Sequence, residues 1–248
     1  MENVITAGSI TAHHIKNGDH EEPIQSVYMI GNYALKHELE SQNIAVTTEV
    51  HPSNEQFSDS DFKDHELDPS IKAVVVGWDP LFNFRKLAIA SKYIQNGCHF
   101  ISTNEDAYDK MGEFNLPGTG SIAAAVQMAT GKAPIYCGKP SQILIDYLTA
   151  SSSDIQHSTS GSPASPSSSQ SVSISPSEFI MIGDRLDTDI TFANKANFQS
   201  CVVLTGITTR DDLQNLSELT RHEHNEVVAR QCPTYVADSL WDFVKTLS

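Results

Sequence analysis

The sequence predicts an α/β protein with parallel strands, and three observations carry that expectation. Residues 179–204 read as strand, loop, helix, strand: the apolar run Phe179-Ile180-Met181-Ile182, a turn at Gly183, a helix-like segment over 190–196, and a second apolar run Cys201-Val202-Val203-Leu204. A second series of alternating strand and helix patterns occupies residues 26–102, and such alternation implies a parallel sheet. With 39% apolar residues in a chain of 248, there is enough to fill one large core or two small ones.

Residues 2–16 place Val4 and Ile5 before a short helix. Val27-Tyr28-Met29-Ile30-Gly31 reads as a strand, followed by a helix over 32–41 and a short strand over 44–46. A polar interval, 51–69, leads to the strand 71–77, which ends in Gly77-Trp78-Asp79. A helix over 85–95 carries Leu87, Ala88, Ala90, Tyr93 and Ile94 on an apolar stripe and is ended by Gly97. The strand 98–102 runs into Thr103-Asn104-Glu105-Asp106, and Pro117-Gly118-Thr119-Gly120-Ser121 opens a helix over 122–130. After Gly138-Lys139-Pro140 comes a helix over 141–150, with Pro140 near its first turn, where a missing N–H costs nothing. Residues 151–177 are dominated by serine with Pro163, Pro166 and Pro176, a composition expected to stay disordered. Beyond 209 a polar helical stretch, a last strand and a closing helix over 240–247 with Trp241 and Phe243 complete the chain.

Lys plus Arg number 16 against 31 Asp plus Glu, a net charge of −15. That sign excludes nucleic acid and anionic membranes as partners, since both demand a basic surface. The four cysteines form no CxxC pair, which fits a reducing compartment, and Cys201 reads as core packing. No run approaches the length of a membrane span and no signal pattern opens the chain, so a cytoplasmic location is expected. His13 and His14 are adjacent, and neighbouring side chains on a helix diverge by about 100°, so they cannot both face one ion; they read as surface histidines.

The chemistry concentrates after Gly183, where Asp184, Asp187 and Asp189 follow in quick succession with Arg185 among them. Ligands of parallel α/β sheets collect at the carboxyl ends of strands, so Asp184 stands where a metal or phosphate would be met. The plainer role for such carboxylates is a solvated loop or a helix cap, with Asp187 or Thr188 capping the next helix. Gly138-Lys139-Pro140 is the second sharp element, and a lone lysine ordinarily reads as a solvated surface charge.

The string Gly183-Asp184-Arg185-Leu186-Asp187-Thr188-Asp189-Ile190, followed by a strand and Val203-Leu204-Thr205-Gly206, closely resembles the fourth motif of the haloacid dehalogenase superfamily of phosphatases. It is most similar to the phosphoglycolate, pyridoxal-phosphate and 4-nitrophenyl phosphatase group. Gly138-Lys139-Pro140 resembles the third motif. The resemblance implies phosphate binding by Lys139, a Mg²⁺ cofactor on Asp184, and support of that metal site by Asp189. It implies a Rossmann-like core with an inserted α/β cap: residues 1–25 a remnant of the core, 26–132 the cap, and 133–248 the rest of the core with the serine-rich insertion 151–177. Asn104, Asp106, Tyr108 and Lys110 fall where this family's cap presents its substrate-selecting loop. Asn104 and Asp106 can equally form Asx-turns, and both readings stand together.

The family's first two motifs, an Asp-x-Asp pair with the nucleophile and acid/base and a Thr or Ser that holds the phosphoryl group, find no counterpart in these residues. Asp59-Ser60-Asp61 has the spacing but no buried strand before it. The catalytic aspartates are therefore expected to be missing, leaving the core incomplete at its N-terminal side. Two expectations follow from the resemblance. One is a Mg²⁺-dependent phosphatase of small phosphomonoesters, phosphoglycolate or 4-nitrophenyl phosphate among them, inactive as the isolated chain. The other is a catalytically inactive paralogue that serves as a binding or dimerisation partner, with a homodimer formed through the cap.

Overall fold

The computed structural model describes residues 4–49, 57–151, 175–222 and 226–246. The chain divides into two compact units, Met1–Gly138 and Lys139–Ser248.

The first unit is built on a five-stranded parallel sheet in the order β2-β1-β3-β4-β7. Its strands are β1 (Ser26–Ile30), β2 (Ala45–Thr47), β3 (Ala73–Val76), β4 (His99–Ser102) and β7 (Ile135–Tyr136). Helices α1 (Ala7–Asn17), α2 (Tyr33–Ser41), α3 (Asp59–Asp64), α4 (Phe84–Gln95) and α5 (Thr119–Thr130) connect or flank them. Side chains alternate between the two faces of a strand. Tyr28, Ile30, Val74 and Val76 pack with Ile89, Tyr93 and Ile94 of α4 and Ile122 and Val126 of α5 in one buried cluster. Val27, Met29 and Val75, on the other face, are buried as well. A sheet covered on both faces explains the unbroken apolar runs, and each fully buried Ile contributes about 1.5–3 kcal/mol.

The helices begin where the sequence offers caps. Thr6 and Ser9 form a reciprocal capping box on α1, while Asn32 and Asn83 each accept from a backbone N–H of the first turn of α2 and α4. The polar interval 51–69 holds a helix absent from the sequence reading: Ser58 and Asp61 box its start, so Asp61 is a capping residue of α3. A second addition is the antiparallel hairpin of β5 (Tyr108–Met111) and β6 (Phe114–Pro117). Its two-residue turn places Gly112 at φ 64°, the left-handed region that glycine enters without strain.

His14 is half-buried, contrary to the expectation of a surface residue. Its ring meets His20 edge-on at 5.2 Å, and His20 lies 5.5 Å from His99. Burial, with help from His20, His13 and His99, holds the pKa of His14 below its ordinary value. Lys86 and Asp79 form a buried ion pair, Nζ to Oδ2 2.6 Å, with side chains 6% and 2% exposed. The second oxygen of Asp79 accepts from the N–H of Leu81 at 2.8 Å.

The second unit carries a three-stranded parallel sheet, β10-β9-β8, formed by β8 (Ile180–Gly183), β9 (Gln199–Val203) and β10 (Tyr235–Ala237). Its helices are α6 (Gln142–Ser151), α7 (Thr191–Ala196), α8 (Arg210–His222), α9 (Glu226–Ala229) and α10 (Leu240–Thr246). Met181 packs with Ile145, Phe192 and Phe198 on one side of the sheet, and Ile182 with Cys201, Val203 and Phe243 on the other. Cys201 is thus a core residue, as its apolar setting predicts.

β7 extends the first sheet by pairing with β4, and α1 packs on α2, so both fall in the first unit. Of the insertion expected over 151–177, residues 152–174 lie outside the described residues, and Pro176–Glu178 forms a short 3-10 turn.

Candidate functional site

β8 ends at Gly183, and the chain turns into a single π-helical turn, Leu186–Ile190, that leads into α7. This turn drives Asp189 back beneath the end of its own strand. One carboxyl oxygen of Asp189 accepts from the backbone N–H groups of Asp184 at 3.0 Å and Arg185 at 3.1 Å. The other lies 2.5 Å from Nζ of Lys139. The Asp189 side chain is 4% exposed and that of Lys139 39%. Gly183 makes the approach possible, since a Cβ there would overlap the Asp189 carboxylate.

β9 lies parallel to β8 with Val202 opposite Gly183, so the loop after β9 comes back to Asp184. The N–H of Ile207 donates to Asp184 Oδ2 at 2.8 Å, and the N–H of Thr208 to its carbonyl at 3.0 Å. Arg185 forks onto Asp187 with two contacts of 3.2 Å. Asp187 is therefore a partner of Arg185, and α7 starts without a side-chain cap from Asp187 or Thr188. Lys139 follows Gly138 through a turn, and its peptide bond to Pro140 is cis; Pro140 precedes α6, which begins at Gln142.

Residues 136–243 match the model of the HAD-hydrolase-like family. The chain is 32% identical over 229 residues to human glycerol-3-phosphate phosphatase, an alignment that covers 91% of this chain and 63% of the relative. It is 33% identical over 195 residues to phosphoglycolate phosphatase 2 of Arabidopsis thaliana, covering 76% of this chain and 57% of that one. Among solved structures, a glycerol phosphate phosphatase of Mycobacterium tuberculosis in complex with magnesium superposes with a TM-score of 0.65 at 26% identity, over 97% of this chain and 57% of that chain.

The chain belongs to the haloacid dehalogenase-like family. Its relatives there include a glycerol-3-phosphate phosphatase and a phosphoglycolate phosphatase. It spans 63% of the length of the human relative.

For a member of this family the question is how well the residues present suit a magnesium ion. Asp184 is half-buried at a strand end, and among the described residues nothing donates to its Oδ1. A carboxylate with one oxygen open suits an ion that is usually held by one or two carboxylates, water and substrate phosphate. Among the described residues there is no group of three or more His, Cys, Asp or Glu that could hold a metal, so Asp184 fits as a single ligand. Bound there, Mg²⁺ would neutralise charge developing on a phosphoryl oxygen.

In the first unit, Asn104 and Asp106 follow β4, and the N–H of Asp106 donates to Asn104 Oδ1 at 3.1 Å, which is an Asx-turn. Tyr108 and Lys110 are two residues apart on β5 and so share a face of the hairpin. Gly118 and Gly120 pack tightly under it: a Cβ on Gly118 would lie 2.5 Å from the carbonyl of Asp106, and one on Gly120 would overlap the carbonyl of Glu105. The glycine-rich string thus serves close packing of backbones. The carboxyl ends of β1 and β3, where such a strand order often binds ligands, are filled by Leu35, against which a Cβ on Gly31 or Gly77 would collide. Among the described residues no helix is long and apolar enough to cross a membrane.

The sequence marked the turn at Gly183 and the string ending in Gly206, but gave no sign that the N–H groups of Ile207 and Thr208 hold Asp184.

Proposed function

We propose that this chain supplies the phosphate- and metal-holding half of a Mg²⁺-dependent phosphatase for small phosphomonoesters of the glycerol-phosphate or phosphoglycolate kind. The supporting observation is the placement of Asp189, whose two oxygens hold Lys139 and the backbone of Asp184 at once. Lys139 offers an ammonium to the phosphoryl oxygens, Asp184 offers one carboxylate oxygen to the cation, and Asp189 fixes both. In this reading residues 26–132 act as the cap, and Asn104, Asp106, Tyr108 and Lys110 frame the choice among phosphomonoesters. The same region is the proposed contact of a homodimer.

Hydrolysis through a covalent intermediate needs a nucleophile. The two Asp-x-Asp strings in the sequence are Asp59-Ser60-Asp61 and Asp187-Thr188-Asp189. Asp61 caps α3, Asp187 binds Arg185, and Asp189 is buried against Lys139. These engagements favour a second reading, a non-catalytic relative that acts as a binding or dimerisation partner.

The deciding assay compares the 248-residue chain with the same chain joined to a relative's opening Asp-x-Asp segment, using Mg²⁺ and an aryl phosphate. Loss of a nucleophile costs about 10⁶ in turnover in well-studied hydrolases, so the chain by itself is expected to be silent. Turnover by the joined protein that disappears in Lys139→Ala supports the phosphatase reading. Silence of both together with dimer formation supports the second.

A further inference from the structure

Asp184 is engaged at every hydrogen-bonding atom but one. Its N–H donates to Asp189, its carbonyl accepts from Thr208, and its Oδ2 accepts from Ile207. Among the described residues only Oδ1 is left without a donor. Two of the three partners come from one turn, and that turn is built around Gly206, where a Cβ would overlap Asp184 Oδ2.

We propose that the Gly206–Ile207 turn is a positioning element that makes Asp184 a one-oxygen ligand and so biases the site toward small divalent cations over Ca²⁺. The inference rests on the reading of Asp184 as a cation ligand. Mg²⁺ and ions of similar size take single oxygens at about 2.0–2.1 Å in near-octahedral geometry, whereas Ca²⁺ gathers more oxygens and accepts both from one carboxylate. An oxygen already tied to a backbone N–H has one lone pair and its orientation committed, so bringing it to the ion as well competes with that bond. The turn therefore penalises two-oxygen ligation and leaves one-oxygen ligation untouched. Partners of this kind, one step behind the ligand, change metal affinity by about 10–100-fold when removed.

The test follows backbone amide spectra of the 248-residue chain while Mn²⁺ is added and Ca²⁺ competes. Broadening centred on residues around Asp184 is expected in the natural chain and absent in Asp184→Asn. Ca²⁺ should displace Mn²⁺ only at about tenfold or greater excess. In Gly206→Ala, and independently in Ile207→Pro, which removes the N–H without adding bulk at 206, that preference should fall by about tenfold. Broadening that is missing from the natural chain, or that survives Asp184→Asn, overturns the ligand reading and the proposal together. A preference unchanged in both turn variants while Asp184→Asn still abolishes binding overturns the positioning role alone. Where neither turn variant folds, the natural chain decides: equal occupancy by Mn²⁺ and Ca²⁺ overturns the proposal, and a clear Mn²⁺ preference supports it.

Discussion

Lys139 and Asp189, 50 residues apart in sequence, meet with Nζ 2.5 Å from Oδ1. The carboxylate is almost wholly buried and the ammonium is more than a third exposed. The pair is therefore asymmetric: Asp189 organises the loop through two backbone N–H groups, while Lys139 keeps its charge accessible to solvent.

That asymmetry sets the first prediction. Asp189→Asn weakens acceptors for the N–H groups of Asp184 and Arg185 and should cost about 1–3 kcal/mol in urea unfolding. Lys139→Ala should cost less, because the Asp189 carboxylate it leaves keeps two backbone N–H donors and solvent already screens the exposed ammonium. Equal losses for the two would show that the carboxylate does not hold the loop.

Gly183→Ala places a methyl group against the Asp189 carboxylate. Overpacking of this kind costs about 1–3 kcal/mol, and here it should also weaken Mn²⁺ broadening near Asp184, since the loop must shift. A variant with unchanged unfolding midpoint and unchanged broadening would refute the tight approach.

In the first unit, Lys86→Ala leaves Asp79 buried without its counter-ion, which should cost about 3–5 kcal/mol. Lys86→Met with Asp79→Leu should recover most of the loss, although the Leu81 N–H then has no acceptor. Chemical denaturation of the three proteins measures both. A double variant no better than Lys86→Ala would contradict this account.

His14 gives a pH dependence of fixed sign. Its folded pKa lies below the ordinary value of about 6.5, first through burial and then through His20, His13 and His99. The unfolded chain therefore takes up the proton first. Stability is intact above about pH 6.5 and declines as pH falls below it toward the folded value. In His14→Gln the loss between pH 7.5 and pH 5.5, compared by urea midpoints, should be smaller; an identical loss would place the titration elsewhere.

The β5–β6 hairpin is exposed, with Met111 61% and Phe114 78% accessible. In a catalytically complete protein, replacing Tyr108 and Lys110 should reorder kcat/KM among phosphomonoesters while sparing turnover of a small aryl phosphate. Specificity is a difference of transition-state affinities. An unchanged ranking of substrates would remove the hairpin from the specificity role.

The sequence by itself determined the parallel α/β class and most strands and helices, and it singled out Lys139, Asp184 and Asp189 as candidates. These are local matters: an apolar run makes a buried strand, Asn32 and Asn83 cap helices, and a carboxylate after a strand meets ligands. The hairpin was hidden because Tyr108-Asp109-Lys110-Met111 and its partner strand bury almost nothing and so show no alternation. α3 was hidden because a short capped helix inside a polar interval has no apolar stripe. Only the tertiary structure decided that His14 meets His20, which itself lies beside His99, and that one oxygen of Asp189 belongs to Lys139 while the other belongs to a loop. It also decided that Ile207 takes one carboxylate oxygen of Asp184 and leaves the other, among the described residues, without a donor. Periodicity and capping act over a few residues, whereas the choice between two oxygens of one carboxylate depends on backbone N–H groups that only the pairing of β8 with β9 brings within reach.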